Sequence, residues 1–214
     1  MRVVTGAAKG RRLKGPKTPG TRPIIDRVKT ALFDILSWRV EEVRFLDLFA
    51  GTGGVGIEAL SRGAAHVTFI EMSMPIIKLI RENLQITALS RQAEVLHMNS
   101  FKFLHTHTHT GTENADRPTN ASVHVYDMIY VAPPQYQEMA ARALGLLDTS
   151  PLLATEGMVI VQIHPKERAG VAAVALSRLV QTDERRYGST LLMFYKIRQI
   201  VKEELPYVDT PSES

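Results

Sequence analysis

The chain reads as a doubly wound α/β protein, and three features of its 214 residues predict this. Short apolar runs alternate with helix-periodic runs from residue 43 onward, as parallel sheets with helical crossovers require. The run Phe45-Leu46-Asp47-Leu48-Phe49 breaks at Gly51-Thr52-Gly53-Gly54-Val55-Gly56, and a helix follows. The chain closes on two longer extended runs, 178–186 and 189–198, separated by Tyr187-Gly188. That closing pair brings the count to seven strands and makes the sheet mostly parallel, with one antiparallel strand.

The elements follow in order. Residues 1–23 form a basic arm, with Val3-Val4, glycines at 6, 10 and 15 among its four, and three prolines that suit a hairpin and an extended strap. Arg22-Pro23 ends it, because proline holds its predecessor extended. Asp26 can cap a helix to about Trp38, with Val28, Ala31, Leu32, Ile35 and Leu36 at helical spacing. Strand 43–49, helix 54–62 and strand 66–71 come next. Helix 74–88, strand 93–98 and a short helical turn at 101–104 follow. Strand 125–131, helix 135–147, strand 157–163 and a helix near 166–176 lead to the closing pair. The body is expected to span 24–198, followed by a polar tail over 199–214.

The glycine turn carries the first functional signal. Glycines permit positive φ and close backbone approach, and free N–H groups at a helix start face a ligand. Gly51-x-Gly53-x-x-Gly56 also fits a dinucleotide site. Asp47, four residues before Gly51, favours another cofactor. A carboxylate at the mouth repels a pyrophosphate but suits an ammonium group. S-adenosylmethionine presents such an amine and a sulfonium, and no phosphate. Glu71 ends the next strand twenty residues beyond Gly51, where an acid takes ribose hydroxyls.

Charge is uneven. The first thirty residues hold nine bases against the single acid Asp26, while the other 184 hold 17 bases and 21 acids. A basic arm on an acidic body suits a polyanion. No apolar run approaches the ~18 residues of a membrane span, and residues 1–6 lack a signal-peptide core, so a cytoplasmic protein is expected. Cysteine is absent, which disfavours pyrimidine C5 methylation through a covalent thiol adduct. His105, His107 and His109 would share one face if extended. Zinc sites usually draw on cysteine or wider spacing, so no metal is expected and 105–122 reads as a solvated insertion.

The second signal is Ala132-Pro133-Pro134-Gln135-Tyr136 at the end of strand 125–131. Two prolines fix φ and remove two donors, leaving carbonyl acceptors at the sheet edge where ligands bind. An amine to be methylated needs acceptors for its hydrogens while its lone pair stays aligned. Tyr136 can stack on a base drawn out of its helix.

With Met1-Arg2-Val3-Val4-Thr5-Gly6, Ala8-Lys9-Gly10-Arg11-Arg12-Leu13, Thr21-Arg22-Pro23, Asp26-Arg27-Val28-Lys29, Leu46-Asp47-Leu48-Phe49-Ala50-Gly51-Thr52-Gly53 and Gly56-Ile57-Glu58-Ala59-Leu60, the chain resembles the bacterial small-subunit ribosomal RNA guanine-N2 methyltransferases over most of 1–198. The resemblance implies a Rossmann-like class I methyltransferase fold and S-adenosylmethionine as cofactor. Its implied partner is small-subunit ribosomal RNA or the assembling subunit, bound by a monomer. Asp47, Gly51 and Gly53 would line the methionine end, with Phe49, Thr52 and Ala132 beside them. Glu71 would bind the ribose, Met72 would lie against the adenine, and Asn99 and Ser100 would stand at the adenine amine. Arg2, Lys9, Arg11, Arg12, Lys14 and Arg22 would grip RNA phosphates, which position without reading sequence.

The family's catalytic motif is Asp or Asn, Pro-Pro, then Tyr or Phe. Here Ala132 stands first and Gln135 last, with Tyr136 one residue late. Pro133, Pro134, Gln135 and Tyr136 are the catalytic candidates, Gln135 as second acceptor. Three other readings stay open: a cofactor- and RNA-binding protein with lost or altered catalysis, a methyltransferase with a different nucleic-acid target, and a nucleotide-dependent oxidoreductase.

Overall fold

The structure, a computed structural model, describes residues 1–16, 26–108 and 125–199. Arg22, His109 and the expected polar tail beyond 199 lie outside them. Seven strands form one sheet: β1 (Arg44–Asp47), β2 (His66–Glu71), β3 (Ala93–His97), β4 (Tyr126–Val131), β5 (Leu153–Ile163), β6 (Leu179–Tyr187) and β7 (Thr190–Ile197). Their order is β3-β2-β1-β4-β5-β7-β6. Only β7 runs antiparallel to its neighbours, β5 and β6, as the sequence leads one to expect. The helices are α1 (Asp26–Leu36), α2 (Gly54–Ser61), α3 (Met74–Thr87), α4 (Ser100–Thr108), α5 (Met139–Thr149) and α6 (Arg168–Ala172).

The period-2 alternation of strand side chains divides the core. Phe45, Val67, Phe69, Met128, Tyr130 and Ile160 face one side, toward α1, α2 and α3. Leu46, Ile70, Ile129, Val131, Val159 and Val161 face the other, toward α4 and α5. The inner strands are apolar on both faces, as a sheet covered on both sides demands. Between β1 and β4 the strand order reverses, and ligands of such sheets bind at that crevice. The reversal brings Asp47 beside Tyr130 in register.

The N-terminal hairpin is present. Arg2 and Arg12 bridge antiparallel, and Val3 N–H donates to Arg11 O at 3.0 Å. It packs on the body as part of the same core, with Val3, Ala8 and Leu13 buried. Its anchor is α2, a helix buried on every side. Glu58 accepts from the N–H groups of Val4 (2.9 Å) and Thr5 (3.0 Å). Lys29, fully buried, pairs with Glu58 at 3.0 Å and donates to Arg2 O. Arg62 completes the cluster, with Nε 3.1 Å from Glu58 and its guanidinium over the Phe33 ring. Burying two charges is costly unless each is paired and hydrogen-bonded, and here both are. Gly6, at φ +84°, lies so close to Ser61 that a Cβ would overlap the Ser61 carbonyl.

Several boundaries differ from expectation. Asp26 is the first residue of α1 rather than its cap, and α1 ends at Leu36 in a 3-10 turn over Ser37–Val40. Residues 101–104 belong to the longer α4, which takes in His105 and His107. On a helix these two stand ~200° apart, not on one face. His107 Nδ1 lies 2.7 Å from Phe103 O. No cluster able to hold a metal exists among the described residues. α5 starts at Met139 instead of 135 because Tyr136 (φ 64°) and Glu138 (φ 53°) are left-handed. β5 begins four residues early, and the helix near 166–176 shrinks to a 3-10 turn plus the five-residue α6. No helix among the described residues is long and apolar enough to cross a membrane.

Candidate active site

A cavity of about 610 Å³ opens at the C-terminal edge of β1, β4 and β5. It is lined from the glycine turn, the β2 end and the Pro-Pro loop, which the sequence points to, and from β5, which it does not.

Asp47 lies at the cavity's inner end, 1% exposed, with Oδ2 accepting from Gly56 N–H at 3.2 Å. It is therefore a floor residue rather than a guard at the mouth. Burial, against the pull of the Gly56 N–H and helped by the Glu71 charge, pushes its carboxyl up to about 7. Such a group is held poorly by the protein alone and gains most from a cation. Glu71 is held firmly: its oxygens accept from Gly51 N (3.1 Å), Met72 N (2.9 Å) and Ser73 N (2.8 Å).

Phe49, Gly51, Thr52 and Ala132 line the cavity with these acids. Gly53 does not line it. At φ 76° it caps α2, and a Cβ there would press on Ile80 and Ile57. Gly56 permits close approach of α2 to β2, since a Cβ would meet Phe69 at 2.3 Å. Met72, largely exposed, and Asn99 line both the cavity and an adjoining hollow of about 210 Å³. Asn99 Oδ1 accepts from the N–H groups of Phe101 (2.9 Å) and Lys102 (3.2 Å), so this oxygen is committed to capping α4. Ser100 Oγ donates to Leu48 O at 2.6 Å, tying α4 to the end of β1.

At the other end, Pro133 is buried while Pro134 and Gln135 are exposed, and all three line the cavity. Tyr136 is not brought into the lining. It is 62% exposed, its ring lies 5.4 Å from His164, and its N–H donates to Glu167 at 3.0 Å. Glu167 also accepts from His164 N–H at 3.2 Å, so one carboxylate staples the Pro-Pro loop to the end of β5.

Sequence reasoning missed Tyr130 and Gln162. Both line the cavity, and the Tyr130 hydroxyl donates to Gln162 Oε1 at 2.6 Å. Burial, then the Asp47 charge, lifts the Tyr130 phenol well above its ordinary range. The available signal was positional, since each stands at or beside the C-terminal end of a parallel strand. On the hairpin, Arg2, Lys9, Arg11, Arg12 and Lys14 are exposed. Lys14 is ion-paired with Glu82 at 3.0 Å.

The residues present fit a cofactor with a positive amine and a ribose diol. Two carboxylates converge on the cavity, and no Lys or Arg among the described residues lines it. A pyrophosphate would meet both acids, with no counter-charge from the described lining.

A family profile described as conserved hypothetical protein 95 matches residues 1–196. The chain belongs to this family. It is 33% identical over 198 residues to YlbH of Bacillus subtilis strain 168, covering 92% of this chain and 100% of that one. It is 33% identical over 162 residues to ribosomal RNA small subunit methyltransferase D of Escherichia coli K12, covering 76% and 74%. Among solved structures, hypothetical protein TTHA0928 of Thermus thermophilus aligns with TM-score 0.70 at 28% identity, over 92% and 99% of the two chains. An RNA methyltransferase from Salinibacter ruber, in complex with S-adenosyl-L-homocysteine, shares the fold at TM-score 0.58 and 14% identity, over 86% and 99%. Family and fold thus agree with the resemblance read from the motifs. In this member of the conserved hypothetical protein 95 family, the first position of the Pro-Pro motif is an alanine.

Proposed function

We propose that this protein is an S-adenosylmethionine-dependent ribosomal RNA methyltransferase, acting on a guanine exocyclic amine of the small-subunit RNA in the cytoplasm. The observation that carries the reading is Asp47: a carboxylate 1% exposed, with its carboxyl pushed up to about 7, at the inner end of the cavity. A cationic amine relieves that burden. Glu71 holds the ribose diol with the lone pairs its three backbone donors leave. Phe49, Gly51, Thr52 and Ala132 shape the methionine end, and Met72, Asn99 and Ser100 flank the adenine.

Held there by Asp47 and Glu71, S-adenosylmethionine would supply a sulfonium methyl to the amine, the S–C electron pair staying on sulfur as the N–C bond forms and the amine's spare proton going to water. The chain's own work is positioning. The Pro133 carbonyl and Gln135 hold the amine. Tyr136, on its stapled loop, offers a ring to the displaced base. The hairpin arginines Arg2, Arg11 and Arg12 with Lys9 and Lys14, and Arg22 on the strap, hold phosphates. The protein acts as a monomer.

The test is incubation with radiolabelled cofactor and undermethylated small subunits, free RNA alongside, followed by mapping of the labelled nucleotide. Label on a guanine N2 is expected, and label on another atom refutes the target. Ala132, which offers no polar group to the amine, favours a second reading, a cofactor- and RNA-binding protein without turnover. Tight cofactor binding with no label on either substrate would establish it.

A further inference from the structure

We propose that Gln162 is a catalytic residue of this site, a carboxamide brought by β5 beside the apolar end of β4. The inference rests on the methyltransferase reading. β4 and β5 pair in parallel with Tyr130 opposite Ile160 and Val131 opposite Val161. One residue further along come Ala132 and Gln162, and both line the cavity. Alternation along each strand puts Tyr130, Ala132 and Gln162 on the sheet face that carries Asp47.

Most other polar side chains at the cavity are committed or charged, Gln135 excepted. Asp47 and Glu71 are acids at the cofactor end. Ser100 donates to Leu48 O, and Asn99 Oδ1 caps α4. Gln135 is exposed on a turn. Gln162 is half-buried, neutral, and oriented by a neighbour. Tyr130, 2% exposed, donates to its Oε1 at 2.6 Å and so fixes the amide. Because that phenol keeps its proton across the working pH range, the orientation persists.

One lone pair of Oε1 remains for an N–H of the target, and Nε2 remains as a donor. The carboxamide therefore matches a base edge that offers an amine hydrogen beside a ring-nitrogen acceptor. It shares the amine's second hydrogen with Gln135, the Pro133 carbonyl holding the first, and does not take the proton, since an amide is not basic near neutral pH. Tyr130 is the positioning residue behind it.

The experiment compares wild type, Gln162→Met and Tyr130→Phe in methyl transfer to undermethylated small subunits. Methionine keeps the length and volume of glutamine, so packing survives where alanine would leave a gap. Gln162→Met should lower kcat about a hundredfold, the usual cost of one positioned polar group. Its affinity for S-adenosylmethionine by calorimetry should stay within about twofold of wild type. Binding of the cofactor-free variant to the particles, read by filter retention, should weaken about two- to tenfold, as one lost hydrogen bond predicts. Ala132→Asn in the Gln162→Met background should restore at least about tenfold in kcat, since it returns a carboxamide to the neighbouring strand end. Tyr130→Phe should lower kcat and leave KM unchanged. Undiminished kcat in Gln162→Met beside an active wild type overturns this assignment alone. Equal losses in cofactor affinity and melting temperature mark a packing role and overturn it as well. A wild type that transfers no methyl overturns the enzyme reading and the inference together.

Discussion

Lowering the pH should release the cofactor by protonating Asp47. Without a bound cation its carboxyl sits at about 7, raised from 3.8 chiefly by burial. A cationic amine binds the ionised form. At pH 6 about one molecule in eleven carries that form, so affinity should fall about tenfold, ~1.4 kcal/mol. At pH 5.5 the loss should reach about thirtyfold. Above pH ~8 the ligand's own amine deprotonates, so the informative window is 5.5–7.5. The stability consequence has the opposite sense. A raised carboxyl pKa contributes stability that is complete below the ordinary range and is lost as pH rises through about 7. The cofactor-free protein should therefore melt lower at pH 7 than at pH 5.5 through this group, while the thermal shift from saturating cofactor grows over the same interval. Calorimetry in two buffers of different ionisation enthalpy should show nearly one proton released per cofactor bound at pH 6. Asp47→Asn should bind weakly and without this pH dependence. Equal wild-type affinity at pH 5.5 and 7.5, or no proton release at pH 6, would refute the reasoning.

Gly56→Ala should destabilise the fold by about 1–3 kcal/mol, the usual cost of overpacking, because the new Cβ meets the Phe69 ring at 2.3 Å; a denaturant melt with an unchanged midpoint contradicts this. Glu58→Ala should cost about 3–5 kcal/mol by leaving Lys29 buried without its partner, and hydrogen exchange should accelerate first at the Val4 and Thr5 amides. Glu167→Ala should leave the melting temperature within a few degrees, speed exchange at the Tyr136 amide, and raise KM for the RNA substrate more than it changes cofactor affinity. Unaltered exchange at Tyr136 would show that the staple does not hold the loop.

Much of this architecture was legible in the sequence because its signals are local. The glycine turn and the alternation of apolar runs place β1, α2 and β2 within two residues. Asp47 and Glu71 were readable because each ends a strand beside a break. What stayed hidden depends on pairing across the sheet. Tyr130 and Gln162 gain meaning only from the β4–β5 register, and the Lys29–Glu58 pair joins two helices that are separated in sequence by a strand and a turn. The start of α5 was misplaced because propensity at 135–138 does not reveal that Tyr136 and Glu138 take left-handed backbone. The histidine alternation suggested a shared face only while the segment was imagined extended. Val3 and Leu13 were read as parts of an arm, yet their apolar side chains bury against the body, as ~1.5–3 kcal/mol for each large aliphatic favours.

The helix α2 has one further implication. Gly54 and Val55 at its start line the cavity, and Ser61 at its end accepts from Ala8 N–H at 2.9 Å and donates to Thr5 O at 2.6 Å. Eight residues of helix measure about 12 Å, and the hairpin lies along their whole length, from Met1 against Gly54 to Ala8 at Ser61, so hairpin and cavity share one short strut. If the proposed RNA contacts of the hairpin arginines hold, the hairpin and the methyl donor stand at a fixed separation. Lengthening the hairpin tip should then shift which nucleotide is modified before it weakens the grip.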